Sequence, residues 1–212
     1  MPGEPAIRRA IAFLDGQNLF HSARQAFGTT FPDYDPVALA QAVCRSRSWQ
    51  LKQVRFYTGV PAEAIDPYWH GFWSRKLALM GKHGVHVCSR ELHYHDEKVQ
   101  LSDGTSTTVR VGREKGIDVR IALDVVRLAI GGAYDVAVVF SQDQDLSEAA
   151  LEVRDVSTSS GRWIKVACAY PWSPTARERR GINNTEWIRI DAETYAAATD
   201  PRDYRRPSEP QR

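Results

Sequence analysis

Two apolar runs in this 212-residue chain stop at acids: AIAFL (residues 10–14) at Asp15, and VAVVF (136–140) just ahead of Asp143 and Asp145. An apolar run of this length that leads into helical periodicity reads as a buried strand feeding a helix. Similar runs recur at Val54 to Tyr57, Val85 to Cys88 and Ile164 to Ala169. Between them lies helical periodicity, at about 18–27, 36–46, 67–81, 117–130 and 145–155. Strands that alternate with helices bury both faces as a parallel sheet with helices packed on it, so the expected fold is α/β.

The alternation breaks at residues 91–113 (ELHYHDEKVQLSDGTSTTVRVGR), where two polar, β-rich stretches flank Ser102, Asp103 and Gly104. Asp-Gly favours a tight turn, so a β-hairpin insertion is expected there. One domain over residues 1–198 accounts for the rest. A flexible tail is expected over 199–212, where proline and charge leave little to bury. No stretch is apolar for long enough to cross a bilayer, and the N-terminal residues lack the pattern of a signal peptide. The expected location is cytoplasmic, with no membrane partner. Cys44, Cys88 and Cys168 are odd in number and far apart, which argues against a disulfide framework or a zinc knuckle. A formal charge of +2 is far from the basic bias of many nucleic-acid binders, so charge alone names no partner.

In a parallel α/β sheet, ligands bind outside the carboxyl ends of the strands. Asp15, Asp143 and Asp145 all fall there, and Asp118 opens the helical segment VRIALDVVRLAI. Carboxylates gathered at one spot repel unless a cation joins them. Oxygen ligands without a histidine or cysteine cluster suit Mg²⁺ or Mn²⁺ better than zinc. A plainer reading makes Asp15, Asp118 and Asp143 helix N-caps, since each precedes a helix. Capping predicts neither the second acid at Asp145 nor the amide of Asn18 one turn after Asp15.

The segments IAFLDGQNLF, EKGIDVRIALDVV and YDVAVVFSQDQDLSEAALEVRD resemble the three sequence blocks of the NYN domain, in its LabA-like bacterial branch, over about residues 8 to 170. The resemblance implies a three-layer α/β/α PIN-like, Rossmann-like fold and a Mg²⁺-dependent ribonuclease, with RNA as partner; a homodimer is compatible with it. By that resemblance Asp15, Asp118, Asp143 and Asp145 match the acidic metal site, with Asn18 and Ser141 in supporting positions. The chain departs from the pattern at Gln142, which stands where the third block commonly has glycine. No clear match for a further acid occurs near the final strand, where Asn183, Asn184, Glu186 and Asp191 are the only polar candidates. Asp124 matches a recurrent family position, yet six residues past Asp118 it falls on another helix face.

The expected chemistry is hydrolysis of an RNA phosphodiester by a metal-activated water. The alternative is a module that binds RNA or protein through a metal-occupied acidic cleft without cutting. Two enzyme readings are weaker. A haloacid-dehalogenase phosphatase needs an acid where Gln17 stands, and an Asp-x-Asp glycosyltransferase leaves Asp15 and Asp118 unexplained. His93 and His95 would share one strand face but have no third ligand at useful spacing. Trp69, Phe72 and Trp73, interleaved with Arg75 and Lys76, read as core of an amphipathic helix rather than a base-stacking platform. Arg110, Arg113 and Lys115 lead toward Asp118 and read equally as a phosphate guide or a solvated charge run.

Overall fold

The computed structural model describes residues 3–100 and 104–205. Aspartates punctuate its helices. Asp15 closes β1 (Arg9–Asp15) and caps α1 (Gly16–Phe27), accepting the Asn18 N–H at 3.0 Å. Asp35 and Asp66 each precede a proline, whose missing N–H and fixed φ suit a first helical position, and each caps the helix that follows. These are α2 (Pro36–Ser46) and α3 (Pro67–Lys82). The strands between are β2 (Gln50–Val60) and β3 (His86–Glu91). After an inserted hairpin come α4 (Ile117–Ile130), β6 (Val136–Phe140), a 3-10 turn (Gln144–Leu146), α5 (Ser147–Ser160) and β7 (Lys165–Pro171). A short edge strand β8 (Glu186–Ile190) and α6 (Ala192–Ala197), neither expected from the apolar runs, complete the order.

The sheet runs β3-β2-β1-β6-β7-β8, and its neighbouring strands pair in parallel. From β1 the chain steps outward to β3, then returns to the other side of β1 as β6 and steps outward again. The strand order therefore reverses between β1 and β6. Side chains alternate across β1: Ala10, Ala12 and Leu14 join a core with Leu19, Leu39 and Phe72, under α1, α2 and α3. Ile11 and Phe13 join Ile117, Ile121 and Val125 of α4 and Val153 of α5 on the other face. The result is the three-layer α/β/α arrangement of a PIN-like fold.

Asp124 fastens α4 to the sheet. Only 1% exposed, it accepts from Arg55 Nη2 and from the Tyr57 hydroxyl, both at 2.9 Å, and pairs with Arg120 at 3.0 Å and Arg127 at 3.2 Å. Burial opposes its charge, but the bonds from Tyr57 and Arg55 outweigh that and hold its carboxyl below the usual range. Asp124 thus faces β2, and Asp118 stands nearly two turns ahead of it on the same helix.

The expected hairpin is present as β4 (His93–Gln100) and β5 (Ser106–Arg113), paired antiparallel. Gly104 has φ 83°, while Ser102 and Asp103 of the expected turn lie outside the described residues. His93 and His95 are exposed, and His95 Nε2 lies 2.7 Å from Glu97 Oε1. Phe72 and Trp73 are buried core residues, and Trp69 stacks on Phe31.

The expected tail boundary at residue 199 differs from what is observed. Tyr204 is buried edge-on against Phe72 and donates its hydroxyl to Asp200 at 2.6 Å. Arg75 of α3 donates to the Tyr204 carbonyl at 2.8 Å. One tyrosine ring suffices to dock a segment that looks wholly polar by composition, so packing continues to residue 205. Residues 206–212 of the expected tail lie outside the described residues. Among the described residues, no helix is long and apolar enough to cross a membrane.

Candidate active site

At the carboxyl ends of β1 and β6, where the strand order reverses, a cleft of about 390 Å³ is lined by Asp15, Glu114, Lys115, Gly116, Ile117, Asp118 and Asp143. This is where an open parallel sheet places its ligands. Each acid arrives by a different route. Asp15 is the last residue of β1 and is 5% exposed. Asp118 occupies the first turn of α4, where the helix dipole favours a negative charge. Asp143 follows β6 and caps the 3-10 turn, accepting from the Asp145 N–H at 3.0 Å.

The capping reading is half right. Asp15 and Asp143 do cap, while α4 opens on Gly116 at φ 73° with no side-chain cap, leaving Asp118 without that duty. Asp145 stands exposed on the 3-10 turn and is not among the residues lining the cleft.

A profile of the NYN domain matches residues 9–178. The chain belongs to the NYN domain family. NYN domains fall within the PIN-like nuclease superfamily. Among solved structures, a protein of unknown function from Vibrio parahaemolyticus is similar at 15% identity and TM-score 0.54, covering 90% of this chain and 98% of that one. Ribokinase from Giardia lamblia follows at 10% identity and TM-score 0.37, over 82% and 54% of the two chains. MurG of Acinetobacter baumannii gives 11% identity and 0.33, over 85% and 45%. No curated protein matches the chain.

In this NYN domain Ser141 and Asn18 tie the site together. Ser141, fully buried, donates its hydroxyl to Asp15 Oδ2 at 3.3 Å and accepts the Asp143 N–H at 3.1 Å. Asn18 Oδ1 accepts the Gln142 N–H at 2.8 Å, which joins α1 to the loop after β6. Gln142, the residue in the usual glycine place, turns its side chain away from the acids and donates to the Arg180 carbonyl at 2.9 Å.

Glu114, absent from the sequence-derived set, lines the same cleft. Its Oε1 is buried with no hydrogen-bond partner. It packs against Gly59 of β2, where an added Cβ would stand 2.4 Å from Leu92 Cδ2 and 3.3 Å from Glu114 Cγ. A glutamate at the root of a polar hairpin carries no pattern of its own. The clue was its place four residues ahead of Asp118.

Burial pushes the Asp15 carboxyl up to about 6; the charges of Asp143 and Asp118 add to this, and the Asn18 N–H and Ser141 hydroxyl oppose it. Burial, then repulsion from Asp15 and Asp118, pushes Glu114 to about 8. Among the described residues, no three acid, histidine or cysteine side chains stand close enough to hold an ion as placed. An all-oxygen donor set with one orphaned buried oxygen and carboxyls reluctant to ionise together fits a hard divalent cation.

Without a cation, the folded chain holds protons on Asp15 and Glu114 that the unfolded chain has already released. The contribution of these two groups is therefore fully present below the unfolded carboxylate range and is lost as pH climbs through about 6 for Asp15 and about 8 for Glu114. For Asp15 the shift from 3.8 to about 6 is worth about 3 kcal/mol. Between pH 5 and pH 8 about 1.4 kcal/mol of this remains to be lost, so thermal unfolding in EDTA at pH 5, 6.5 and 8 is expected to show Tm falling roughly 4 °C further in the wild type than in Asp15→Asn. Added Mn²⁺ at pH 8 recovers the loss. Parallel pH curves for the two proteins would rule out this origin.

Proposed function

We propose that this NYN domain is a metal-dependent ribonuclease of the LabA-like branch, hydrolysing RNA phosphodiester bonds in the cytoplasm. The observation that carries the reading is the convergence of Asp15, Asp118, Asp143 and Glu114 on one cleft at the strand-order reversal. Stability alone does not favour such a grouping, since the neighbouring charges raise the cost of ionising Asp15 and Glu114.

Asp15, Asp118 and Asp143 would hold Mg²⁺ or Mn²⁺ with Glu114 beside them in the cleft, and Asp145 would join them from the adjoining turn, outside the cleft lining. When bound, the cation lowers the pKa of an attacking water and neutralises charge on the scissile phosphate. Ser141 and Asn18 act as positioning residues: one fixes Asp15 against Asp143, and the other fixes the loop that carries both Asp143 and Asp145. Lys115, on the cleft wall, offers the one cation among the lining residues and would draw a phosphate toward the acids. Because the Gln142 side chain is directed elsewhere, it leaves the phosphate path open.

The test is incubation of the purified chain with labelled single-stranded and structured RNA in Mn²⁺, in Mg²⁺ and in EDTA. Cutting in either metal and none in EDTA is the expected result. RNA that is bound but never cut under any metal would replace the nuclease with a binding module.

A further inference from the structure

The loop over residues 172–185 leaves the carboxyl end of β7 beside the acidic cleft and carries Arg177, Arg179 and Arg180, all exposed. Among the described residues none of the three pairs with a carboxylate. Their neighbour Glu178 turns its Oε1 onto the Arg179 and Arg180 N–H groups, both at 2.9 Å. Arg179 reaches the Pro174 carbonyl at 3.5 Å and Arg180 reaches Asn183 Oδ1 at 3.3 Å, both neutral acceptors.

Such a cationic loop would ordinarily be loose, but this one is fastened to the segment that carries Asp143. Gln142 Nε2 donates to the Arg180 carbonyl, Gln144 Nε2 donates to the Gly181 carbonyl at 3.1 Å, and Gln144 Oε1 accepts the Asn183 N–H at 3.1 Å. From below, Cys168 Sγ accepts the Ile182 N–H at 3.3 Å and donates to the Ser141 carbonyl at 3.0 Å. The Tyr170 hydroxyl donates to the Arg179 carbonyl at 3.1 Å. Both glutamines of the Gln-Asp-Gln-Asp stretch are thus used to hold an arginine loop, while Asp143 between them lines the cleft.

The cations on the other flank of the cleft are more committed. Arg113 pairs with Glu97, and Arg110 lies over the Tyr94 ring at 5.8 Å. The hairpin that carries them follows β3, whereas the arginine loop follows β7, so the two basic segments stand on opposite sides of the β1–β6 cleft.

We propose that Arg177, Arg179 and Arg180 form a pre-positioned rim that binds the backbone phosphates of single-stranded RNA beside the cleft, with Gln142 and Gln144 as the residues that position it. The proposal builds on the ribonuclease reading for the identity of its ligand. Planar guanidinium forks suit phosphate oxygens. Holding the loop in place beforehand spares the ordering cost that a free loop meets on binding.

The experiment is fluorescence anisotropy of labelled oligouridylate in EDTA, where nothing is cut, across a salt series. The proteins compared are wild type, Arg177→Ala/Arg179→Ala/Arg180→Ala, Gln142→Gly, and a control with equal charge loss, Arg45→Ala/Lys52→Ala/Lys82→Ala, whose exposed residues lie towards the amino ends of the strands, in the last turns of α2 and α3 and at the start of β2. Removing three phosphate contacts to a single strand should flatten the slope of log affinity against log salt by about 2, with affinity at low salt down on the order of tenfold or more. Gln142→Gly should weaken binding with the slope unchanged, because the charges stay and only their placement loosens.

Equal slopes for the rim triple and the control triple, or no RNA binding by wild type, would overturn the rim. Mn²⁺-dependent cutting measured on the same proteins keeps the two readings apart. Wild type that binds through the rim without cutting removes the nuclease and leaves the rim. Wild type that cuts, beside a rim triple that binds like the control, does the reverse.

Discussion

Asp15→Asn is expected to lower metal-dependent RNA cleavage by about a thousandfold while making the folded domain more stable at pH 8. The two effects share one cause. Asparagine can still accept the Asn18 N–H and is as good an N-cap as aspartate, so α1 keeps its start. What disappears is a buried negative charge facing Asp143 and Asp118. Its loss removes repulsion from the cation-free fold and removes a proposed metal ligand from the cleft. A metal that stabilises transition-state charge by several kcal/mol gives about the stated factor when its grip is lost, at about 1.4 kcal/mol per decade. Initial rates in Mn²⁺ together with Tm at pH 8 check both halves. A variant that is stabilised yet cuts at the wild-type rate would remove Asp15 from the chemistry. One that loses both activity and stability would make it a structural cap.

Asp124→Ala should cost about 3–5 kcal/mol of folding stability, because it strands a guanidinium that is itself 4% exposed. Arg55 would keep Tyr57 at 2.9 Å and Gln53 at 3.1 Å but no counter-charge. Denaturant unfolding at neutral pH measures the loss. Asp124→Asn, which preserves shape and one acceptor, should recover part of it. A cost below about 1 kcal/mol for alanine would mean that the network behaves like a screened surface pair. The double replacement Arg55→Met/Asp124→Leu is the informative companion, since removing both charges should cost less than removing one.

The sheet was legible because its central strands are buried on both faces and so read as unbroken apolar runs; AIAFL and VAVVF became β1 and β6 nearly residue for residue. β8 was not, because an edge strand keeps Trp187 and Arg189 outward and buries only alternate residues over a short span. At the site, Asp15, Asp118 and Asp143 were readable from their places at strand and helix ends. Glu114 was not, since Gly59, whose N–H it accepts, neighbours it only after folding. The purpose of Gln142 was hidden for the same reason: its partners lie 36 and 38 residues further along the chain. The tail misled by composition, where one aromatic ring outweighed many polar neighbours.

The pairing of β1 with β6 has a consequence for timing. Arg9 meets Asp135 across a separation of 126 residues, and Ala10 to Leu14 find their second neighbour only in Val136 to Phe140. Local pieces of the chain, such as β1 with α1 or the hairpin, can form early, since short loops close quickly, whereas this contact is among the most distant in sequence and comes late. Asp15 and Asp143 lie on its two halves. During synthesis, the acids therefore cannot meet until the chain through Asp143 has left the ribosome, and shorter nascent chains carry no assembled cleft.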